Sequence, residues 1–250
     1  MKNKNIITID GTSYVGKSTI ARELAKLLGF IYVNTGHMYR AVAKYAIEKN
    51  ISYKDKSLIS LSEDLNIEFI FSDKGLTRTI VDNKDLTELL HDPKIVSYSS
   101  KVATIAEVRE ILTKKQRSYS KNKQVIFEGR DLGTIVFPEA FWKFFITATI
   151  EVRAKRMKKN LIQREPSKKV NFVDLVPIID EIDKRDKNRN IAPLRKADHA
   201  IIYDNSDSPN ELQDALILQY YINHSDEIIN NSIQINKMFE KKMNPIRKTK

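Results

Sequence analysis

The residues with the clearest chemistry form a glycine-rich loop near the N-terminus, Gly11-Thr12-Ser13-Tyr14-Val15-Gly16-Lys17-Ser18-Thr19. The loop matches G-x-x-x-x-G-K-[ST], the pattern of a phosphate-binding loop. Its glycines permit a tight turn that points successive backbone N–H groups at phosphate oxygens. Lys17 would bring a positive charge to the β- and γ-phosphates, and the Ser18 hydroxyl would ligate Mg²⁺. We therefore predict that the whole loop binds ATP, with Lys17 on an exposed loop and Ser18 as the metal ligand.

The flanking elements are those that such a loop requires. The run Ile6-Ile7-Thr8-Ile9-Asp10 before it predicts a buried parallel strand, and the apolar residues Ile20, Leu24, Leu27 and Leu28 follow at helical spacing. Further strands are predicted near residues 30–33, 124–127, 142–146 and 200–203, with helical patterns between them. This alternation indicates a P-loop type α/β fold, a parallel sheet with helices on both faces.

One segment departs from that alternation. Residues 67–71 and 77–81 alternate as an antiparallel hairpin does, which indicates an inserted subdomain over 66–90 within a core domain formed by 1–65 and 91–222. We also predict a mobile lid over 153–170, a basic helix followed by a break at Pro166. Helix is expected across 94–118, and across 172–186 with a break or restart at Pro177. A closing helix at 212–222 precedes a C-terminal extension, 223–250.

Composition narrows the class of protein. With 250 residues, 41% of them hydrophobic, the chain can bury a normal core, and the absence of cysteine excludes disulfides and thiolate metal sites. No apolar segment is long enough to span a membrane, so we expect a cytoplasmic, monomeric enzyme. The net charge of +11 comes mostly from scattered lysines and indicates a solvated surface rather than a nucleic-acid partner.

Three polar clusters follow the predicted strands or lie in the helices that could cover them, where an open α/β sheet gathers its ligands. They span residues 34–40, 128–138 and 185–194. Together with the loop, and in matching order over residues 6 to about 222, they resemble the bacterial cytidylate kinases, nucleoside monophosphate kinases with an enlarged monophosphate-binding insert. The sequence Gly129-Arg130-Asp131-Leu132-Gly133-Thr134-Ile135-Val136-Phe137-Pro138 is the most specific part of this resemblance.

The resemblance implies an activity and a set of site residues. The reaction would be the Mg²⁺-dependent transfer of phosphate from ATP to CMP or dCMP. Guanidinium groups suit phosphate because they grip it with two directed N–H donors. The roles implied are Arg40 and Arg130 on the monophosphate, Thr35 and Asp131 on the exocyclic amine of cytosine, Arg109 and Arg189 on its ring acceptors, Ser100 and Asp186 on the ribose, and Lys17, Arg130, Arg153 and Arg156 around the transferring phosphoryl group.

Several alternatives stay open at this point. Arg109 could form a surface ion pair with its neighbours Glu107 or Glu110, and Asp186 could pair with Arg189 along one helix face. Arg153 and Arg156 could be solvated surface cations. At the level of function, the rivals are a P-loop kinase for UMP, AMP or shikimate, a nucleic-acid-stimulated P-loop ATPase, and a nucleotide-binding module without catalysis.

One position departs from the family pattern. The family usually has an arginine where this chain has Ile182. An isoleucine offers no hydrogen-bond donor, so a phosphate or ribose contact is either missing or supplied from elsewhere.

Overall fold

The computed structural model describes residues 3–71, 77–164 and 170–207, together with Asp214, Leu218, Gln219 and Ile222. Its strands are β1 (Asn3–Gly11), β2 (Ile31–Asn34), β3 (Ile67–Phe71), β4 (Thr77–Val81), β5 (Lys84–Asp85), β6 (Val125–Gly129), β7 (Ala140–Thr147) and β8 (Ile201–Asp204). Its α-helices are α1 (Lys17–Leu28), α2 (Thr35–Glu48), α3 (Ser57–Asp64), α4 (Pro93–Val102), α5 (Ala106–Tyr119), α6 (Ile150–Arg164) and α7 (Phe172–Asn188). No helix in these ranges is both long and apolar enough to cross a membrane.

The centre of the molecule is a five-stranded parallel sheet with the order β2-β6-β1-β7-β8. Its strands are buried on both faces, because Ile7 and Ile9 pack in one apolar cluster with α1, while Ile6 and Phe127 pack in another with α2, α4 and α5. Continuous apolar runs of this kind are typical of parallel strands covered on both sides. The predicted fold class is confirmed.

A second sheet, antiparallel and in the order β3-β4-β5, lies within residues 66–90. Its apolar residues Phe69 and Val81 belong to the same core cluster as α2 and α5, and the Thr77 hydroxyl donates to the Tyr32 carbonyl at 3.2 Å. This sheet is therefore packed directly against the edge strand β2 of the central sheet. Residues 72–76, between β3 and β4 in the sequence, lie outside the described residues.

Two helix expectations are wrong. The stretch 94–118 is divided into α4 and α5, because the Thr104 hydroxyl donates to the Lys101 carbonyl at 2.7 Å and Ile105 is extended, with ψ of 119°. Conversely, α7 runs through Pro177 without a break. The carbonyl of Val173 loses its helical donor there, but this residue is 76% exposed, so water can bind that carbonyl.

Of the predicted closing helix, the described residues Asp214, Leu218, Gln219 and Ile222 are helical, and the extension 223–250 lies outside the described residues.

Because the strands are parallel, their carboxyl ends meet at one edge of the sheet. The phosphate-binding loop follows β1 there, Thr35 follows β2, Arg130 and Asp131 follow β6, and Asn205 follows β8. This edge is where an α/β sheet of this kind binds ligands.

Candidate active site

The phosphate-binding loop connects β1 to α1 and has left-handed backbone at its glycines. Gly11 has φ of 150°, and a Cβ atom there would lie 2.2 Å from the Ile146 carbonyl oxygen on β7. Gly16, with φ of 94°, is the residue before α1, whose first N–H groups have no acceptor within the helix itself. Unpaired N–H groups and the helix dipole make this position suited to an anion.

Lys17 is not on an exposed part of the loop, contrary to the sequence-based expectation. It is only 4% exposed, and its ammonium group donates to the Thr12 carbonyl at 2.5 Å. Burial, and then the nearby charge of Arg130, lower the pKa of Lys17 to about 7. Within the described ranges, no carboxylate forms an ion pair with Lys17, and a bound phosphate would supply the missing negative charge.

This depressed pKa predicts a pH dependence of stability. A lysine that titrates near 7 when folded and near 10.5 when unfolded binds fewer protons in the folded state between these values, so its contribution to stability rises with pH across that window. Ligand-free Lys17→Met should therefore be more stable than the wild-type chain at pH 7, and this advantage should shrink towards pH 10. Urea unfolding of both proteins between pH 7 and pH 10 measures the difference, and a constant gap would contradict the prediction.

Two carboxylates at the strand ends were not among the predicted site residues. Asp10, at the end of β1, accepts hydrogen bonds from the backbone N–H groups of Leu132 at 3.0 Å and Gly133 at 2.8 Å. Burial nevertheless raises the pKa of Asp10 to about 6. Asp10 thus anchors the turn that follows Arg130 and Asp131, and its position directly before the loop was the available sequence signal.

Glu128, at the end of β6, is the second of these carboxylates. Its Oε1 accepts from the Ser18 hydroxyl at 2.9 Å, its Oε2 accepts from the Tyr32 hydroxyl at 2.5 Å, and its carbonyl accepts from the Thr35 hydroxyl at 2.8 Å. Carboxylate and hydroxyl oxygens side by side are the ligands that Mg²⁺ prefers. The described residues contain no group of three acidic, histidine or cysteine side chains that could hold a metal ion by themselves.

The second predicted cluster meets the third around Asp131. Asp131 is 7% exposed; its Oδ2 pairs with Arg109, and its Oδ1 lies 3.3 Å from Nη2 of Arg189. Burial, and then the Arg109 charge, lower the pKa of Arg189, and its buried Nη2 makes no aligned hydrogen bond. One carboxylate is therefore shared by two guanidinium groups, and N–H donors remain for a ligand.

This geometry excludes two of the simpler interpretations. Arg109 is 5% exposed and pairs with Asp131 rather than with Glu107 or Glu110, and Glu110 pairs with Lys114 at 2.7 Å. Asp186 does not pair with Arg189 but with Arg130, at 2.8 Å.

The predicted phosphate-binding arginines lie between these groups. Arg130 is half-buried. Burial disfavours its charged form, but the nearby Asp186 carboxylate raises the pKa of Arg130 above its usual value. Burial lowers the pKa of Arg40, with Glu128 and Arg130 among the charges near enough to affect it. Nη1 of Arg40 lies 3.5 Å from Nδ1 of His91. These two arginines can therefore approach the same anion.

Arg153 and Arg156, in the predicted lid, are not solvated surface cations. Arg153 is 5% exposed, pairs with Asp183 at 2.6 Å and donates to the Ser13 carbonyl at 2.7 Å. Arg156 donates to the Val15 carbonyl at 3.0 Å and to the Asn205 carbonyl at 2.8 Å. Both guanidinium groups thus hold α6 against the phosphate-binding loop.

The two bulky apolar or aromatic residues of the loop, Tyr14 and Val15, pack in apolar clusters beside it. Val15 is fully buried in the cluster below α1, whereas Tyr14, with φ of 59°, packs against the apolar cluster between α6 and α7. Both side chains therefore point away from the space that the phosphates would fill. Residues 165–169 of the predicted lid lie outside the described residues.

A phosphate-binding loop after the first strand of a parallel sheet, with arginines near it from α2, from α6 and from the residues after β6, defines a P-loop kinase of the nucleoside monophosphate class. The family model for cytidylate kinase matches residues 7–221, and the chain belongs to that family. The resemblance seen in the sequence is confirmed.

Individual proteins of similar sequence also carry the name cytidylate kinase. The chain is 43% identical to a cytidylate kinase of Clostridium botulinum over 80% of this chain and 89% of that one. It is 42% identical to a cytidylate kinase of Caldicellulosiruptor bescii over 89% and 98% of the two chains. It is also 39% identical, over 88% of its length, to a bifunctional pantoate ligase/cytidylate kinase of Prochlorococcus marinus, of which it spans 43%.

Proposed function

We propose that this chain transfers the γ-phosphoryl group of ATP to CMP and dCMP, giving ADP and the cytidine diphosphate. The observation that carries the choice of base is the buried group of Asp131, Arg109 and Arg189. Cytosine presents an amine beside two ring acceptors, and a carboxylate flanked by guanidinium donors matches that pattern. Uracil has a carbonyl in place of the amine and would face Asp131 without a hydrogen bond.

The two nucleotides would occupy the two sides of the site. ATP phosphates would lie on the N–H groups of residues 11–19 and on Lys17, with Arg153 and Arg156 above them. The CMP phosphate would lie on Arg40 and Arg130, its amine on Asp131 and the Thr35 oxygen, and its ribose near Ser100 and Asp186. We propose residues 66–90 as the monophosphate-binding insert and 153–170 as the lid.

In such a reaction the bond between the γ-phosphorus and the oxygen of ADP breaks as a bond to a CMP phosphate oxygen forms. The chain's part is to position both groups and to neutralise their charge, because little covalent chemistry is needed from the protein. Lys17 and Arg130 lie near enough for the charge of Arg130 to lower the pKa of Lys17, so both would neutralise the transferring phosphoryl group. With α6 and α7 held over the loop by Arg153 and Arg156, water, the competing acceptor, would be excluded from the bound phosphates.

The residues present fit a magnesium ion. Ser18 is exposed and its hydroxyl lies 2.9 Å from Glu128, so we propose that these two oxygens hold Mg²⁺ together with the phosphates of ATP. When bound, the ion would neutralise phosphate charge and orient the triphosphate. We further propose that the chain acts as a monomer in the cytoplasm.

An ADP-release assay with ATP and a panel of acceptors tests the proposed function. We expect turnover with CMP and dCMP, weaker turnover with UMP, and none above background with AMP or shikimate. A nucleic-acid-stimulated ATPase would instead release ADP without a monophosphate and respond to added DNA or RNA. Absence of CMP-dependent turnover in the folded protein would overturn the proposal.

A further inference from the structure

Asn205, the residue after β8, lies against the phosphate-binding loop and has no role in the site as described so far. Its backbone N–H donates to the carbonyl of Thr147, the last residue of β7, at 2.8 Å, and its own carbonyl accepts from Nη2 of Arg156 at 2.8 Å. The residue is 1% exposed. Asn205 is therefore held in place by the central sheet and by α6, and its burial keeps it from direct contact with a nucleotide.

The side-chain amide of Asn205 contacts the loop itself. Its Nδ2 donates to the Val15 carbonyl at 2.7 Å, and the same carbonyl accepts from Nη1 of Arg156 at 3.0 Å. A Cβ atom on Gly16 would lie 2.5 Å from Nδ2 of Asn205, so the amide packs directly on the backbone of this glycine. Two N–H donors from outside the loop thus hold one of its carbonyl groups.

Holding this carbonyl also fixes the direction of an N–H group. A peptide unit is planar and trans, so the Val15 carbonyl and the Gly16 N–H point in opposite directions. Since the carbonyl points at Asn205 and Arg156, the Gly16 N–H points away from both. Among the described residues, this N–H donates to no backbone carbonyl. It lies directly before α1, where a phosphate oxygen can accept from it.

The amide oxygen of Asn205 indicates that the contact serves the loop rather than the stability of the core. Within the part of the chain that the structure describes, this buried Oδ1 has no hydrogen-bond partner. A buried polar atom without a partner destabilises a fold. An apolar side chain of similar shape would avoid that cost, so the amide is explained by what its N–H donor does to the loop.

We infer that Asn205 is a positioning residue for ATP, which holds the Val15 carbonyl so that the Gly16 N–H stays directed at the phosphates. Arg156 shares this contact, but it is also proposed to bind the phosphates themselves, whereas Asn205 acts only through the loop. The inference rests on the proposed function, since it takes ATP to be the ligand of the loop.

Steady-state kinetics of Asn205→Leu and Asn205→Ala, with ATP and CMP each varied, test this inference. Wild-type turnover with CMP is measured first, because its absence would refute the proposed function and not the role of Asn205. Both variants lose the N–H donor, so KM for ATP should rise by on the order of tenfold, the effect of about one hydrogen bond. KM for CMP should change by less than about twofold, because Val15 and Gly16 lie on the ATP side. Calorimetric titration with ADP should show the same loss of affinity without turnover.

The two variants separate the lost donor from lost packing. Leucine has nearly the branched shape of asparagine, so it fills the space that alanine leaves empty. Both variants should share the rise in KM for ATP, and Asn205→Leu should melt near the wild-type temperature, because the unpaired oxygen is gone. A normal KM for ATP in Asn205→Leu, whatever its melting temperature, or equal rises in KM for ATP and CMP, would overturn the inference.

Ser206→Ala is the matched control. Ser206 is the next residue in the chain, and its hydroxyl accepts from the Thr149 N–H at 2.8 Å and donates to the Asp204 carboxylate at 2.6 Å. The variant removes hydrogen bonds from the same segment without changing the amide that holds Val15, so both KM values should stay at the wild-type values. A rise in KM for ATP in Ser206→Ala as large as that in Asn205→Leu would assign the effect to the whole segment and overturn the role of the Asn205 amide.

Discussion

Lys17→Met should lower kcat for phosphoryl transfer to CMP by at least roughly 100-fold, the scale seen when one preorganised electrostatic contact to a transition state is removed. The change leaves an apolar stem of similar length in a position that is 4% exposed, so the fold has no reason to fail. Because burial already disfavours the charged form of Lys17, the ligand-free variant should melt at or above the wild-type temperature.

A matched control for this variant lies on the same helix. Lys26→Met removes an exposed lysine that pairs with Glu23 at 2.8 Å, and it should leave kcat unchanged. Steady-state kinetics and thermal melting of both variants complete the test. A folded Lys17→Met protein with nearly normal kcat would remove Lys17 from the catalytic residues.

Asp131→Asn should have the second largest effect, and on two measured quantities. The asparagine adds an NH₂ donor that could meet the uracil carbonyl, so discrimination between CMP and UMP should fall by about 1–3 kcal/mol. The free energy of unfolding should also fall, by about 3 kcal/mol, because two buried guanidinium groups lose their shared carboxylate.

The discrimination between CMP and UMP and the free energy of unfolding, measured together, show whether Asp131 binds the base or only stabilises the fold. A loss of stability alone lowers kcat/KM equally for CMP and UMP, whereas loss of amine recognition lowers it more for CMP. Asp180→Asn, on the exposed face of α7, is the control and should change neither quantity appreciably. If both acceptors lose activity equally in the folded protein, Asp131 does not bind the cytosine amine.

Local patterns in the sequence were sufficient to predict most of the framework. The apolar run before Gly11 predicted β1, and the spacing of glycine, lysine and serine predicted the loop, because both depend on residues that are close together in the chain. Helix ends were harder to predict. The break at Thr104 and the continuous helix through Pro177 each depend on how single backbone groups are satisfied by side chains or water.

The amino-acid sequence alone was enough to predict a phosphate-binding loop on a parallel α/β sheet and the charged clusters of the family. Which charged side chains pair with each other became clear from the three-dimensional structure. Arg109 pairs with Asp131 across 22 residues, and Glu128 reaches Ser18 across 110. Proximity in the sequence favoured a neighbouring glutamate as the ion-pair partner of Arg109, and it favoured Arg189 as the partner of Asp186. The observed ion pairs depend instead on how helices and strands approach one another at the carboxyl edge of the sheet. That approach depends on the packing of the whole core, which no short stretch of sequence encodes.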